Sequence, residues 1–172
     1  MIGPRVVLVG AMGAGKTTVG RLVADARGVV FLDTDEVVEK EAGRSVSEIF
    51  IDDGEAHFRD LERRAVAESL AHHDGVLALG GGAVLDVTTQ ELLDGHRVVF
   101  LRVGLSDAAK RVGLGVSRPL LLGNVRGRIK QLLDERTSIY ESVAQHAVDT
   151  DGLSAAEVAE RVRTVVEDEP HG

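Results

Sequence analysis

Residues 6–18 read VVLVGAMGAGKTT, an apolar run followed by the pattern G-x-x-x-x-G-K-T. The apolar run predicts a buried strand, and the glycines predict a tight turn into a helix. In such a turn the backbone N–H groups face phosphate oxygens, and the helix presents its positive end to the same anion. Lys16 would bridge the β- and γ-phosphates, and the Thr17 hydroxyl would bind Mg²⁺. The stretch therefore predicts a nucleoside-triphosphate site, and the alternative is a glycine-rich turn that binds nothing.

Length and composition predict one globular domain. The chain has 172 residues, of which 44% are hydrophobic and 28% charged, as is typical of a folded domain with a single core. It lacks an apolar run of membrane-spanning length, and residue 5 already begins a predicted strand, so we expect no membrane partner, no signal peptide and a cytoplasmic location. The absence of cysteine excludes disulfides and cysteine nucleophiles. A net charge of −8 disfavours nonspecific binding of nucleic acid.

Apolar β-branched runs alternate with helical periodicity along the chain, which is typical of an α/β fold with a parallel sheet. Strands are predicted near residues 5–9, 29–32, 76–79, 97–102 and 147–149. Helices are predicted near residues 15–27, 45–51, 55–72, 106–112, 126–140 and 154–167. Ser45 and Ser154 each precede a glutamate by three residues, which is the capping-box spacing. Ligands of such folds bind outside the carboxyl ends of the strands.

Two aspartates follow the second predicted strand, at the edge where a ligand is expected. If the strand continues, Asp33 and Asp35 point the same way and both face the transferred phosphate. Asp33 would then serve the magnesium side, and Asp35 would orient or deprotonate an acceptor hydroxyl. The alternative is an Asx turn or a helix N-cap.

Three consecutive glycines, Gly80, Gly81 and Gly82, end the third predicted strand at the same edge. Glycines in this position permit a close approach to the backbone, whose N–H groups can bind an anion or hydroxyl groups. A purely structural turn is the alternative.

Two arginines indicate an anionic acceptor. Arg136 falls in the apolar stripe of its predicted helix, where a buried guanidinium needs a carboxylate from the protein or from a ligand. Arg59 lies one turn before Glu62, which would hold it in place, although a surface salt bridge has the same spacing. Two arginines that converge on one carboxylate would suit a small hydroxylated acid.

Residues 113–123 form a glycine-bounded segment with one arginine, Arg118, between two predicted helices. We interpret it as a lid that closes over the reaction, where Arg118 stabilises the transferring phosphoryl group. The alternative is an ordinary helix–helix connection.

These motifs resemble shikimate kinase, a small P-loop kinase family, over nearly the whole chain. Besides the phosphate loop, the matching motifs are Asp33-Thr34-Asp35, Phe58-Arg59-x-x-Glu62, Gly80-Gly81-Gly82, Arg118-Pro119-Leu120-Leu121 and Arg136-x-x-x-Tyr140. The resemblance implies a three-layer fold with a five-stranded parallel sheet of order 2-3-1-4-5 and a mobile lid. It implies phosphorylation of shikimate at its 3-hydroxyl, with ATP as co-substrate and Mg²⁺ as cofactor.

The resemblance also assigns roles to residues. Asp35, Arg59, Gly80, Gly81, Gly82 and Arg136 would bind shikimate. Nucleotide would be bound by Gly13, Ala14, Gly15, Lys16, Thr17, Thr18, Arg111 and Arg118, with Arg111 beside adenine, and metal by Thr17 and Asp33. Lys16, Asp35 and Arg118 would be catalytic. We expect a monomer with a single domain over residues 1–172, a lid at about 112–124 and an acceptor-binding region at about 33–62. Family members often offer the adenine a basic residue after the fifth strand, whereas this chain has DTDGL at residues 149–153.

Three other kinds of P-loop protein fit less well. Gluconate kinase shares the architecture, but the paired arginines and the triple glycine favour shikimate. A nucleoside monophosphate kinase needs a pocket for an acceptor base, and the G-T-Q continuation of adenylate kinases is absent. A regulatory GTPase would carry an N-K-x-D signature, which the sequence lacks.

Overall fold

The computed structural model describes residues 3–113 and 125–167. The five strands are β1 (Val6–Val9), β2 (Val30–Asp33), β3 (Gly75–Ala78), β4 (Val98–Arg102) and β5 (His146–Asp149). The helices are α1 (Lys16–Arg27), α2 (Thr34–Ala42), α3 (Val46–Asp53), α4 (Glu55–His72), α5 (Val87–Leu93), α6 (Leu105–Gly113), α7 (Val125–Val143) and α8 (Ala155–Glu167), with a 3-10 turn at Ala83–Leu85. None of the helices within these ranges is long and apolar enough to cross a membrane.

The strands form one parallel sheet in the order β2-β3-β1-β4-β5, which confirms the expected topology. Right-handed crossovers put α1 and α8 on one face and the helices between β2 and β5 on the other, because the chain first moves toward β2 and then back across the sheet. In agreement, α1 packs against α8 and α7 packs against β4. All four residues of β1 are at most 1% exposed, as expected of a central strand covered on both faces.

A second, smaller hydrophobic cluster lies apart from the main core. Its buried members, Val38, Ile49, Phe58 and Ala65, join α2, α3 and α4. This cluster makes the three helices one packed unit beside the carboxyl edge of the sheet. It therefore positions the residues that α2 and α4 supply to that edge.

The capping signals are confirmed. Ser45 Oγ accepts the backbone N–H of Glu48 at 3.1 Å at the start of α3. At the start of α8, Ser154 Oγ accepts the N–H of Glu157 at 3.1 Å, and the Glu157 carboxylate accepts the N–H of Ser154 at 3.5 Å. The second cap therefore has both halves of the box.

Strand β2 does not continue through Asp35, and of the two interpretations of this segment the structure shows the helix N-cap. The strand ends at Asp33, whose Oδ1 accepts the backbone N–H of Asp35 at 2.8 Å and caps α2. The two aspartates therefore do not share a strand face.

Helix α5 was also not predicted, because its first residues are β-branched and weak helix formers. Its signal was Asp86, whose carboxylate caps Thr89.

We predict that Gly20→Ala destabilises the protein, although alanine favours helices by about 1 kcal/mol. Gly20 is buried in α1, and a methyl group there would overlap the Phe31 ring and stand 3.3 Å from Leu8 Cδ1. Overpacking of this kind costs about 1–3 kcal/mol, so the helical gain is outweighed. Urea unfolding measures the change. The added substitution Phe31→Leu should recover part of the loss, and a more stable Gly20→Ala protein would contradict the packing described.

Candidate active site

The phosphate loop leads from the carboxyl end of β1 into α1. Gly15, the N-cap of α1, has a φ of 89°, which L side chains rarely adopt. Lys16 Nζ donates to the carbonyl oxygens of Gly10 and Ala11 at 2.7 and 3.1 Å, so the ammonium group lies over the loop. The loop thus combines a lysine charge with the positive end of a helix, which is the arrangement that binds phosphate.

Asp33 has two roles in the structure. Its Oδ1 caps α2, and its Oδ2 accepts a hydrogen bond from Thr17 Oγ1 at 3.1 Å. The capping interpretation is therefore correct for Asp33, yet the same carboxylate reaches the hydroxyl at the start of α1. A hydroxyl and a carboxylate side by side are oxygen ligands of the kind that Mg²⁺ takes beside nucleotide phosphates.

Each glycine of the triplet lies against a different polar side chain. A methyl group at Gly80 would stand 2.6 Å from Asp35 Oδ1, and one at Gly82 would stand 2.6 Å from Arg59 Nη1. A methyl group at Gly81 would stand 3.8 Å from Arg136 Nη1. The missing side chains leave the space that these groups occupy.

The triplet also meets the phosphate loop. The position of a Gly81 methyl group lies 3.6 Å from the backbone nitrogen of Met12 and 3.7 Å from the carbonyl oxygen of Gly10. The groups around the glycines therefore adjoin the loop that would hold phosphate.

Arg59 is held by a buried carboxylate, as its spacing predicts. Arg59 Nη1 donates to Glu62 Oε1 at 2.8 Å, and the Glu62 side chain is 4% exposed. Burial raises the pKa of the Glu62 carboxyl above its ordinary value, while the positive charges of Arg59 and Arg136 oppose that shift. The pair is thus a partly buried contact rather than a surface salt bridge.

Arg136 is buried, as its place in the apolar stripe of α7 predicts. It is 9% exposed, and its Nε has no hydrogen-bond partner among the described residues. The guanidinium lies near Glu62 and the Tyr140 hydroxyl, since its charge affects the pKa of both groups. A buried donor without a partner is costly, and a ligand carboxylate would satisfy it.

Arg111 lies beside a cleft next to the phosphate loop. It donates to the carbonyl oxygens of Gly13 at 2.9 Å and Thr150 at 3.3 Å, and so joins the loop to the segment after β5. The cleft measures about 190 Å³ and is lined by Ala14, Gly15, Thr18, Val19, Arg111, Leu153, Ala155 and Val158. Of residues 149–153, Leu153 lines this cleft, so the segment contributes an aliphatic side chain there.

Arg118 and residues 114–124 of the expected lid lie outside the described residues. The other predicted site residues come together in two groups, one around the phosphate loop and one around the triple glycine.

Sequence reasoning missed two buried hydroxyl groups that hold the glycine turn. Thr34 Oγ1 accepts the N–H of Gly80 at 3.1 Å, and Tyr140 Oη donates to the carbonyl oxygen of Gly81 at 2.5 Å. The available signals were the position of Thr34 between the two aspartates and that of Tyr140 one helical turn after Arg136.

Comparison with known proteins identifies the family of the chain. The family model for shikimate kinase matches residues 12–167. The chain belongs to the shikimate kinase family. It is 57% identical to the shikimate kinase of Thermobifida fusca over 92% of both chains. It is 49% identical to that of Streptomyces coelicolor, over 97% of this chain and 98% of the relative.

Solved structures give the same family. The shikimate kinase from Acinetobacter baumannii, solved in complex with shikimate, superposes with a TM-score of 0.93 at 32% identity and covers 100% of this chain and 97% of its own. A gluconokinase from Sinorhizobium meliloti covers 94% of this chain and 90% of its own at a TM-score of 0.57 and 21% identity, which shows a shared fold alone.

We predict that ionisation of Glu62 destabilises the folded protein. The pKa of Glu62 in the folded state is raised above its ordinary value of 4.5. The proton on Glu62 therefore stabilises the folded state fully at a pH below 4.5, and this stabilisation is lost as the pH rises through the raised pKa. Glu62→Gln has no such ionisation. The stability of the wild type relative to Glu62→Gln should therefore fall as pH rises from about 4 to 7, as measured by urea unfolding.

Glu68→Gln is the control for this comparison, because Glu68 lies exposed on the same helix. Its stability difference from the wild type, measured over the same pH range, gives the baseline for a glutamate-to-glutamine change on this helix. A pH dependence of Glu62→Gln that does not exceed this baseline would contradict the effect of burial on Glu62.

Proposed function

We propose that this protein transfers the γ-phosphoryl group of ATP to the 3-hydroxyl of shikimate, giving shikimate 3-phosphate and ADP. The observation that carries the proposal is the glycine triplet beside the phosphate loop, with Asp35, Arg59 and Arg136 each against one glycine. Shikimate has a carboxylate at one end of a ring and hydroxyl groups at the other. Two arginines and one aspartate at the same turn fit that distribution of charge.

On the donor side, the phosphate loop binds ATP through Gly13, Ala14, Gly15, Lys16, Thr17 and Thr18. Lys16 compensates the negative charge that shifts during transfer. Arg111 and the adjoining cleft hold the adenine. Thr17 and Asp33 fit Mg²⁺, since their oxygen atoms are 3.1 Å apart, and Asp33 acts through water. When bound, Mg²⁺ neutralises charge on the phosphate oxygens.

On the acceptor side, Arg59 and Arg136 bind the shikimate carboxylate through paired N–H donors. The absence of side chains at Gly80, Gly81 and Gly82 allows the ring to come close to the backbone. Asp35 accepts a hydrogen bond from the 3-hydroxyl, either to orient it or to remove its proton.

The lid and the acceptor-binding region belong to one kinase domain. Arg118 stabilises the transferring phosphoryl group from a lid at about residues 112–124, and residues of about 33–62 form the acceptor-binding region of a single kinase domain. The protein works as a cytoplasmic monomer without nucleic acid or membrane partners, in keeping with a net charge of −8.

The direct experiment is an ADP-release assay with ATP and Mg²⁺ and a panel of acceptors: shikimate, gluconate, AMP and water. We expect ADP release to depend on shikimate. The product should carry the phosphoryl group at the 3-position by ³¹P and ¹H NMR. Equal ADP release with water alone, or preference for gluconate or AMP, would refute the proposal.

We predict that Asp35→Asn lowers kcat/KM for shikimate by about 10²–10⁴, the range for a positioned proton acceptor. The amide keeps the size of the side chain but removes its charge. Binding of ADP by calorimetry should stay within about two-fold of wild type, a difference of about 0.4 kcal/mol. Asp94→Asn, at an exposed position at the end of α5, is the control and should retain full activity. Activity of Asp35→Asn within a few-fold of wild type would leave Asp35 with only a structural role.

We predict that Arg136→Lys fails to rescue Arg136→Ala. Lysine keeps the charge but cannot grip a carboxylate with two parallel donors. Loss of such a pair in a desolvated site costs about 2–5 kcal/mol, or tens to thousands-fold in affinity for shikimate. ADP affinity should not change. Calorimetry is the suitable method, because the chain has no tryptophan.

Arg161→Lys, at an exposed position on α8, is the control for the arginine-to-lysine change. Unchanged shikimate affinity in Arg136→Ala, together with lower thermal stability, would mean that Arg136 serves only the internal carboxylate of Glu62.

A further inference from the structure

Tyr140 connects three parts of the acceptor side. Its hydroxyl donates to the carbonyl oxygen of Gly81 at 2.5 Å, and its ring packs against Phe100 of β4 with 5.1 Å between centroids. It lies one helical turn after Arg136 on α7, so the two side chains share a face of that helix. The whole residue is 1% exposed.

The contact with Gly81 fixes a peptide plane. Because the peptide is planar and trans, a hydrogen bond to the Gly81 carbonyl also sets the direction of the Gly82 N–H. The carbonyl of Gly80 is fixed separately, since it accepts the N–H of Ala83 at 3.0 Å. Glycine has no side chain to hold its own peptide, so the turn depends on such outside contacts for its shape.

The same hydroxyl is next to the Arg136 guanidinium. Burial raises the pKa of the Tyr140 phenol above its ordinary value, while the charge and hydrogen bonding of Arg136 oppose that shift. The phenol therefore stays protonated near neutral pH and can donate to Gly81 while its oxygen faces Arg136. One hydroxyl group thus links the backbone turn and the guanidinium.

We propose that Tyr140 is a positioning residue for the acceptor carboxylate, which it serves by holding the Gly81 peptide and the Arg136 guanidinium at a fixed separation. The inference rests on the proposed function, since the ligand it concerns is shikimate. Tyr140 does not touch the reacting atoms in this role. Its hydroxyl should matter for binding of the acid and not for binding of nucleotide.

The test compares the wild type with Tyr140→Phe, which keeps the ring against Phe100 and removes only the hydroxyl. We expect the Kd for shikimate, measured by calorimetry, to rise about 3- to 30-fold, as for the loss of a buried hydrogen bond beside a charged group. The Kd for ADP should stay within two-fold of wild type. KM for shikimate should rise with its Kd, while kcat at saturating shikimate changes much less.

Val162→Ala is the control for stability. Val162 is fully buried in α8, which packs against α1 on the opposite face of the sheet from α7. The substitution removes two methyl groups and should lower the melting temperature by a few degrees, about as much as loss of a buried hydrogen bond. It should leave the Kd for shikimate unchanged. A weaker affinity in Tyr140→Phe alone therefore reports positioning rather than stability.

A second measurement needs no variant. Tyr140 is the single tyrosine of a chain without tryptophan, so tyrosine emission of the wild type reports on this one hydroxyl. We expect shikimate to change the emission with a saturable dependence on concentration, and ADP alone to leave it unchanged. If saturating shikimate left the tyrosine emission of the wild type unchanged, the proposal would be overturned, even if Tyr140→Phe failed to fold.

The two proposals fail in different ways. If the wild type neither binds nor phosphorylates shikimate, the proposed function is wrong and the role of Tyr140 falls with it. If the wild type binds shikimate and Tyr140→Phe binds it equally well, only the role of Tyr140 is wrong.

Discussion

The parallel pairing of β1 with β3 brings the two halves of the site together. Its register aligns Leu8 with Ala78, so both strands end at the same edge of the sheet. The chain then continues as the phosphate loop after one strand and as the glycine triplet after the other. Both strands are buried on both faces, so a slip in register would disrupt the packing on both sides of the sheet. The separation of the phosphate loop from the glycine triplet is therefore set by two fully buried strands of the sheet.

Charge inside this edge is balanced within a small group of side chains. Glu62 compensates Arg59 directly and Arg136 at longer range, and burial works against its ionisation. An arginine pair without an internal carboxylate would carry unpaired charge in the fold. Arg59 also lies 3.8 Å from the carboxylate of Glu55. Carboxylates thus hold Arg59 in place, whereas the Nε of the buried Arg136 has no hydrogen-bond partner among the described residues.

The sequence was sufficient for the elements whose pattern is local. Strands such as Val6–Val9 are unbroken apolar runs, and the strand order followed from family resemblance. Helix α2 was missed because the signal that begins it, Asp33, also fits an aspartate that serves a ligand, and the structure shows that the capping carboxylate reaches Thr17 as well. Arg136 was found from helical phase as well as from the family resemblance. Thr34 and Tyr140 lie within two of the recognised motifs, but the sequence did not assign them a role, because their contacts join residues 46 and 59 positions apart.

The glycine triplet illustrates how polar side chains can come together at the end of a buried strand in a packed fold. Core strands normally continue into turns whose side chains fill the space above the sheet. Here that space holds a carboxylate at Gly80 and a guanidinium at Gly82, each too close for a methyl group. Such a turn has no side chains to define its shape, so hydroxyl groups from α2 and α7 must hold it. The flexibility of the glycine backbone is thus restricted by residues that lie outside the triplet, and the shape of the turn depends on the packing of two helices as much as on the glycines themselves.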